Sequence, residues 1–355
     1  MTFITKGFHH STHVSSNAAR TLEFYRDILG FRLVKKTVNF DLPDTYHLYF
    51  GDETGSPGTL LTFFEWPAAK RGSWGVGGIH HVALNTKNDD TQLKWKRWLT
   101  DHGVAVSGPY DRGYFTSIYF ADPDGQILEI ATEGPGFGID EPMNALGHNL
   151  KTPPESRLPA GRDEAKIAAT TWPEPVPALT ADMSLRQLHH ITGHTDDLAA
   201  AGEFYEQALG LKLVKKSFNQ DVPEILHYFW ANYDGENILP GSDMTLFGSP
   251  KNGRRAREGV GQTHHIAFRA DDVDQLAAWR EHLLDQKIDV SEIRDRNYFK
   301  SIYFRSPDGL LVEIASDSPG FAVDEPAATL GHDLKLPAWL ESNRDDLVMR
   351  LRQLS

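Results

Sequence analysis

The sequence has no cysteine among its 355 residues, and its other shortages exclude further classes of function. Without thiols there are no disulfides, thiolate nucleophiles, zinc–thiolate sites or iron–sulfur clusters, which fits a reducing compartment. Basic residues number 36 against 49 acidic ones, so the net charge of −13 repels phosphate backbones and anionic lipids. Neither a secretory leader nor an apolar run of membrane-spanning length is apparent. We therefore expect a soluble cytoplasmic protein with no nucleic-acid or membrane partners.

Histidine, by contrast, is concentrated in a repeated pattern. The stretch DRGYFTSIYFADPDGQILEI from Asp111 returns as DRNYFKSIYFRSPDGLLVEI from Asp295, and residues 21–36 match residues 201–216. Eight of the 16 histidines form four adjacent pairs, each at the start of a similar stretch: His9-His10, His80-His81, His189-His190 and His264-His265. Such internal repetition indicates that the chain consists of four modules. Their limits are 8–67, 78–152, 187–250 and 262–337.

The repeat predicts two domains of two modules each. We expect the first domain at 1–152 and the second at 186–337. The proline-rich segment 153–185 is predicted to be a semi-rigid linker between them, and 338–355 a C-terminal helix.

Each module has the pattern of one strand, one helix and three further strands. In module 1, residues of GFHHSTHVSS alternate with the period of a strand, and Ser16 or Asn17 can cap the helix that follows. Short runs rich in aromatic and β-branched residues then indicate the remaining strands. The predicted fold class is α+β, built from four βαβββ modules.

Strand alternation indicates which histidine of a pair faces away from the helices. In IHHVALNT, His80 shares a face with Val82 and Leu84. His81 shares the opposite face with the small Ala83. Because the bulky apolar face should pack on the helices, the second histidine of each pair should lie on the other side of the sheet. These residues are His10, His81, His190 and His265.

Two glutamates complete the pattern. Glu129 and Glu313 stand on strands that otherwise read as buried, and a buried carboxylate needs a partner or a metal. Each follows the second histidine of its module by 48 residues. Thr62 and Thr245 occupy the corresponding positions of modules 1 and 3. The chain therefore supplies two sets of two histidines and one carboxylate, the ligand set that leaves open positions on non-haem Fe(II).

At this point the modules resemble the vicinal oxygen chelate superfamily, whose members include glyoxalases, extradiol dioxygenases and antibiotic-binding proteins. The segments YHLYFGDE, SPGTLLTFF, GGIHHVAL and DRGYFTSIYFADPDG, with both PGF...DE...LGH stretches, are similar to hydroquinone-type ring-cleaving dioxygenases such as 2,6-dichlorohydroquinone 1,2-dioxygenase. The resemblance covers nearly the whole chain. It implies a glyoxalase-like fold in which the modules form two curved, barrel-like sheets with outer helices.

The resemblance also implies a site. Carried over residue by residue, the iron ligands are His10, His265 and Glu313, which requires module 1 to pair with module 4. The active-site tyrosine and arginine of the family fall on Tyr303 and Arg296. The catalytic residues implied are thus these two and a second histidine near the metal, which corresponds to His9.

This chain departs from those enzymes because it repeats every element of the site. A second set, His81, Glu129 and His190, is accompanied by Tyr119 and Arg112. We therefore predict a second metal site. The residues by themselves also allow module 1 to pair with module 2, which would regroup the ligands as His10, His81, Glu129 and His190, His265, Glu313.

The predicted function is an Fe(II)-dependent, extradiol-type ring-cleaving dioxygenase that inserts O2 into a hydroquinone- or catechol-type substrate; Mn(II) is a second candidate ion. Tyr303 would exchange a proton with the substrate oxygen and Arg296 would offset negative charge. A glyoxalase-like isomerase or lyase is a first alternative, but Thr62 and Thr245 stand where it needs further carboxylates. A metal-free protein that binds aromatic antibiotics is a second, but it has no reason to bury two glutamates. The sequence leaves the oligomeric state open, a homo-oligomer included.

Other aromatic and histidine side chains are weaker candidates. Tyr298, Phe299, His227 and Trp230 are proposed to line a substrate pocket. His47, like His227, is also compatible with a purely structural role. Two histidines are expected on loops, His148 and His332.

Overall fold

A computed structural model describes residues 3–351 and 354. It contains two curved sheets of eight strands each, which confirms the predicted fold class. Modules 1 and 2 supply β1 (Phe8–Ser15), β2 (Arg32–Asn39), β3 (Leu42–Gly51), β4 (Leu60–Glu65), β5 (Ile79–Thr86), β6 (Ser107–Asp111), β7 (Thr116–Ala121) and β8 (Ile127–Thr132). Modules 3 and 4 supply β9 (Leu188–Thr195), β10 (Lys212–Phe218), β11 (Leu226–Ala231), β12 (Asp243–Gly248), β13 (Thr263–Ala270), β14 (Arg294–Asp295), β15 (Phe299–Arg305) and β16 (Leu311–Pro319).

One helix follows the first strand of each module. Asn17, Asn88, Asp197 and Asp272 cap the N-termini of these helices with their side chains, and Asn17 is the cap that the sequence left open between two residues. None of the helices in the described part of the chain is long and apolar enough to cross a membrane. The helices are α1 (Ala18–Leu22, continued by a π-helical turn over Glu23–Ile28), α2 (Asp89–Asp101), α3 (Glu164–Ala169), α4 (Leu198–Leu209), α5 (Val273–Asp285) and α6 (Arg344–Arg350).

Each sheet joins one module from the first half of the chain to one module from the second half. The strand order β14-β15-β16-β13-β1-β4-β3-β2 combines modules 4 and 1, and we call it the outer-module sheet. The order β10-β11-β12-β9-β5-β8-β7-β6 combines modules 3 and 2, and we call it the inner-module sheet. Module 1 therefore pairs with module 4, so the alternative grouping of modules 1 and 2 is wrong.

The sequence repeat and the sheets consequently divide the chain differently. The predicted domains 1–152 and 186–337 each contribute one module to each sheet, so neither half contains a complete sheet. The reason lies in the central seams, where β1 runs antiparallel to β13 and β5 runs antiparallel to β9. The domain limits themselves stay a prediction about the repeat.

The segments between and after the repeats pack on the sheets. Within 153–185, α3 ends beneath Lys96, whose Nζ donates to the carbonyls of Ile167, Ala168 and Thr170. The C-terminal segment begins as a 3-10 helix over Ala338–Asn343 and continues as α6. Arg350 at the end of α6 forms an ion pair with Asp44 of module 1. Part of the predicted terminal helix, residues 352, 353 and 355, lies outside the described residues.

The two faces of each sheet have different partners. Val82 and Leu84 pack into the main core with Trp95 and Leu99 of α2, whereas Ala83 belongs to a separate cluster on the opposite face. That opposite face carries the predicted ligands.

The first histidine of each pair does not follow the predicted alternation. It is the extra residue of a β-bulge, because the pairing register skips from one neighbour of this histidine to the other. A bulge interrupts the period of two and redirects the side chain. The prediction that His80 lies on the helix-facing side is therefore wrong: it lines a cavity beside His81. The four bulged residues are His9, His80, His189 and His264.

Candidate metal centres

The outer-module sheet brings together His10 on β1, His265 on β13 and Glu313 on β16. Nε2 of His265 lies 2.8 Å from Oε2 of Glu313, and Nε2 of His10 lies 3.4 Å from the same oxygen. The two nitrogens are 3.4 Å apart. All three side chains are buried, and we call this set the outer-module site.

The inner-module sheet repeats the arrangement with His81 on β5, His190 on β9 and Glu129 on β8. Nε2 of His81 lies 3.0 Å and Nε2 of His190 3.4 Å from Oε2 of Glu129, and the two nitrogens are 3.3 Å apart. These buried residues form the inner-module site. The structure thus brings together both sets of sequence-predicted ligands in the grouping that the resemblance implied.

The geometry of both sites fits a bound cation. Three ligand atoms about 2.1 Å from one ion, with angles between 90° and tetrahedral, would lie roughly 3.0–3.4 Å from one another. The observed separations of 2.8–3.4 Å lie in this range or just below it. Oε2 of Glu129 and Oε2 of Glu313 are buried and make no hydrogen bond, although imidazole nitrogens lie close by. An unpaired buried carboxylate oxygen is costly, so these atoms are arranged to face a common ion.

A serine holds the other oxygen of each glutamate. Oγ of Ser117 donates to Oε1 of Glu129 at 2.5 Å, and Ser301 donates in the same way to Oε1 of Glu313. Each hydroxyl fixes the carboxylate orientation and leaves Oε2 directed at the two histidines. Hydrogen bonds to ligands from such neighbours tune metal affinity in proteins generally.

The bulged histidines fix the orientation of the ligand histidines. In every pair the two Nδ1 atoms lie 2.7–2.9 Å apart, which is hydrogen-bond distance. A metal on Nε2 of the ligand histidine leaves its proton on Nδ1, so Nδ1 of the bulged histidine must accept a hydrogen bond from that N–H group. Its Nε2 then carries a hydrogen, and in His264 this nitrogen lies 3.1 Å from Oε1 of Glu258.

Burial keeps His81 and His265 neutral, and the imidazoles beside Glu129 and Glu313 keep these carboxyls ionised. Burial lowers the pKa of His265 to about 4, although Glu313 opposes the shift. Burial alone would raise the pKa of Glu313, but His10 and His265 beside it more than offset this and hold it well below its usual range. Neutral imidazole and ionised carboxylate are the forms that bind metal.

A cavity of about 290 Å³ opens over the outer-module site. Its wall includes two of the three residues that the resemblance implied to be catalytic, Arg296 and Tyr303. Nε of Arg296 donates to the hydroxyl of Tyr303 at 3.1 Å. Burial and the nearby Glu313 raise the pKa of Tyr303, so its phenol stays protonated. His9 lies behind His10, buried and packed against Phe299, which suits a positioning role better than contact with substrate.

A larger cavity of about 400 Å³ opens over the inner-module site. Nε of Arg112 donates to the hydroxyl of Tyr119 at 3.2 Å, as in the outer-module site. Arg162, from the segment between the repeats, forms an ion pair at 2.6 Å with Asp221, which lines this cavity. No sequence pattern indicated Arg162, because its contact depends on where the intervening segment packs.

Only some of the weaker pocket candidates line a cavity. Phe299 and His227 line a cavity as predicted. The prediction that Trp230 lines one is wrong, because this residue is buried in the main core under α4. The prediction that Tyr298 lines the pocket is also wrong, because its hydroxyl donates to Asp324 beneath the site. His47 lines the outer cavity, where Nε2 lies 3.1 Å from Oγ1 of Thr62.

Comparisons with known proteins agree with this architecture. A family model described as the Glyoxalase/Bleomycin resistance protein/Dioxygenase superfamily matches residues 7–130 and 187–314. The chain is 31% identical to "Putative ring-cleaving dioxygenase MhqA" of Bacillus subtilis (strain 168) over 98% of both proteins. It is also 31% identical to the chlorohydroquinone/hydroquinone 1,2-dioxygenase of Sphingobium indicum, over 97% of this chain and 95% of that enzyme. A crystal structure of a "putative dioxygenase from Bacillus subtilis subsp. subtilis str. 168" superposes with a TM-score of 0.78 at 30% identity, covering 99% of this chain and 98% of the other.

Proposed function

Because the chain belongs to the Glyoxalase/Bleomycin resistance protein/Dioxygenase superfamily, we propose that it is an Fe(II)-dependent ring-cleaving dioxygenase of the extradiol type, acting on a hydroquinone- or catechol-type substrate. Mn(II) is the second candidate ion. The observation that carries the proposal is the pair of buried sets of two histidines and one glutamate, each with an unpaired carboxylate oxygen and an adjoining cavity. The name of the Sphingobium relative supports a hydroquinone-type ring.

The metal would be held by His10, His265 and Glu313 in the outer-module site, and by His81, His190 and Glu129 in the inner-module site. When bound, such an ion acidifies a coordinated phenol and holds substrate and O2 side by side on its open positions. The chain's own task is to fix the ligands, orient the ring and handle the proton.

Tyr303 is the proposed proton-handling group of the outer-module site. Its phenol is protonated and lines the cavity with the ligands, so it can donate a hydrogen bond to a substrate oxygen. Arg296 holds the phenol through its Nε and can offset negative charge that develops on the substrate. Tyr119 and Arg112 have the same relation in the inner-module site.

The cavity walls suit an aromatic ring. Phe64, Trp66 and Phe299 surround the outer-module site, and Phe115, Phe229 and Phe247 surround the inner-module site. Offset or edge contacts with these rings would orient a planar substrate while excluding water. A glyoxalase-like ligand set with more carboxylates is disfavoured, because the hydroxyl of Thr62 is engaged with that of Thr12 at 2.8 Å and supplies no carboxylate.

The test is anaerobic reconstitution with Fe(II), followed by a metal count and O2 uptake with hydroquinone, methylhydroquinone and catechol. We expect two bound ions per unchanged chain. Each of the single variants Glu313→Ala and Glu129→Ala should bind one ion, and the double variant none. O2 consumption with a new ring-opened product should fall at least a hundredfold in the double variant, since every ligand set is then incomplete. The exposed Glu53→Ala is the matched control and should retain both ions. Two tightly bound ions without O2 uptake on any of the three substrates would overturn the dioxygenase proposal.

A further inference from the structure

The two cavities differ in charge at one pair of equivalent positions. Arg294 precedes the repeated DRNYF segment of module 4, and Tyr110 precedes the corresponding DRGYF segment of module 2. Each residue lines the cavity of its own site. The duplication therefore left a cation at the outer-module site where the inner-module site has a neutral phenol.

The cations around the inner-module site are already paired. Oδ2 of Asp221 lies 2.9 Å from Nη2 of Arg112, and its Oδ1 lies 2.6 Å from Nη1 of Arg162. Arg162 also pairs with Glu164 at 3.0 Å. Both guanidinium groups lie over the ring of Tyr110, 5.0 Å and 4.7 Å from its centroid. In this network both arginines are thus paired with carboxylates.

The outer-module site is open by comparison. Arg296 has one distant partner, since its Nη1 lies 3.4 Å from Asp41, whose side chain is 68% exposed. Arg294 is exposed at the cavity mouth, with its guanidinium 5.8 Å from the ring centroid of Tyr303. Among the described residues, no carboxylate forms an ion pair with Arg294. Two cations and one loosely held anion thus face this cavity, against one cation and one firmly bound anion in the inner cavity.

We infer that the outer-module site selects aromatic diols that carry a ring carboxylate, whereas the inner-module site selects uncharged ones. The inference rests on the proposed function for the diol and adds the charge of its substituent. A guanidinium presents a planar fork of N–H donors that matches a carboxylate, and such charge-assisted bonds are among the stronger polar contacts. Arg294 is therefore the specificity-determining residue, and Tyr110 is its neutral counterpart.

The experiment compares 2,5-dihydroxybenzoate with 2,5-dihydroxybenzamide, which have the same ring and nearly the same size but differ in charge. Binding is measured by anaerobic calorimetry on Zn(II)-loaded protein, so that no turnover occurs. Glu129→Gln leaves the outer-module site as the complete site, and Glu313→Gln leaves the inner-module site. Arg294→Tyr and Tyr110→Arg exchange the residues that differ, and Arg294→Lys keeps the charge without the fork.

We expect the preference for acid over amide to be roughly tenfold greater at the outer-module site. Arg294→Tyr should remove that excess, Arg294→Lys should retain part of it, and Tyr110→Arg should raise the preference of the other site. Equal preferences at both sites, or a preference unchanged by Arg294→Tyr, would overturn the inference. If a Gln variant does not fold, Arg294→Tyr and Tyr110→Arg are made in the otherwise unchanged chain. Arg294→Tyr must then lower the preference for acid over amide measured over both sites, and Tyr110→Arg must raise it.

Failure of the proposed function looks different. If the acid binds selectively but neither compound nor any hydroquinone supports O2 uptake with Fe(II), the dioxygenase proposal fails while the charge selection stands. If O2 is consumed but acid and amide are treated alike at both sites, only the charge selection fails.

Discussion

The two sheets of this protein carry the same candidate metal-binding atoms in different surroundings. In both sites two Nε2 atoms and one Oε2 lie within 3.4 Å of one another, a serine holds the second carboxylate oxygen, and an arginine holds a tyrosine hydroxyl. The atoms that need the most exact placement are thus duplicated most faithfully, since metal binding tolerates little change in ligand identity or distance.

The two sites differ in the residues that surround the candidate ligands. Tyr49 donates its hydroxyl to Nδ1 of His47 near the outer-module site, but the equivalent residue near the inner-module site is Phe229. Leu60 is paired with His10, whereas Asp243 is paired with His190. Changes at this distance alter charge, hydrogen bonding and cavity size without moving the ligands. The two sites thus share their candidate ligands and differ in the residues around them.

The largest effect should come from breaking the buried lysine clusters that tie each pair of modules together. Nζ of Lys35 lies 2.5 Å from both Asp324 and Glu325, with the lysine side chain fully buried. Removing one partner of a buried ion pair leaves an uncompensated charge, so Lys35→Met should cost about 3–5 kcal/mol of unfolding free energy, measured by urea denaturation.

Lys215→Met is the equivalent test in the inner-module sheet, where Lys215 contacts Asp140 and Glu141. The double variant Lys35→Met with Glu325→Leu should recover much of the loss, because no buried charge then lacks a partner. A loss below 1 kcal/mol in both single variants would show that these clusters do not hold the modules together.

The turn between β7 and β8 offers a pH-dependent difference between the modules. Burial raises the pKa of Asp122 to about 6, and its equivalent in module 4 is Ser306. A carboxyl whose folded pKa is raised adds stability below its unfolded pKa, and this contribution is lost as the pH rises through about 6. Asp122→Ser should therefore gain about 3 kcal/mol relative to the unchanged chain between pH 4 and pH 7.

The measurement is urea unfolding of both proteins across that range. Asp111→Ser, which removes an exposed carboxylate of the same module, is the control for the loss of one carboxylate. A difference between Asp122→Ser and the unchanged chain that does not vary with pH would contradict the raised pKa.

Removing one serine should lower the metal affinity of one site and leave that of the other unchanged. Ser301→Ala frees Oε1 of Glu313, and loss of such a supporting hydrogen bond weakens metal binding about 10–100-fold. Competition with a chelator should then show one weakened and one unchanged ion per chain. Ser117→Ala should give the reciprocal result at the inner-module site. Equal weakening of both ions by either variant would mean that the sites are coupled rather than independent.

The smallest effect is expected where one hydroxyl distinguishes the sites. Tyr49→Phe removes the hydrogen bond to His47 and makes this position like the inner-module site, at a cost of about 1 kcal/mol. Thermal unfolding gives the first measurement. Phe229→Tyr is the reverse exchange, beside His227, and should recover a similar amount if its hydroxyl reaches that imidazole. No loss in Tyr49→Phe would show that the hydrogen bond contributes nothing net.

The amino-acid sequence was sufficient for the modules, the fold class and the six candidate ligands. His81 and Glu129 could be assigned because the repeat displays the same types and spacing twice, and because a buried glutamate on an apolar strand needs a partner or a metal. The grouping of those ligands was implied by resemblance alone, since residues within one module carry no information about which other module completes the sheet.

The tertiary structure decided what depends on contacts between distant segments. The antiparallel seams between β1 and β13 and between β5 and β9 bring each ligand set together, and they create the bulges that redirect His9 and His80 from the predicted alternation. Arg162 contacts Asp221 only because the segment after module 2 folds back. Local pattern determined the identity of the ligands because each strand displays it independently, whereas pairing of strands far apart in the chain determined their partners.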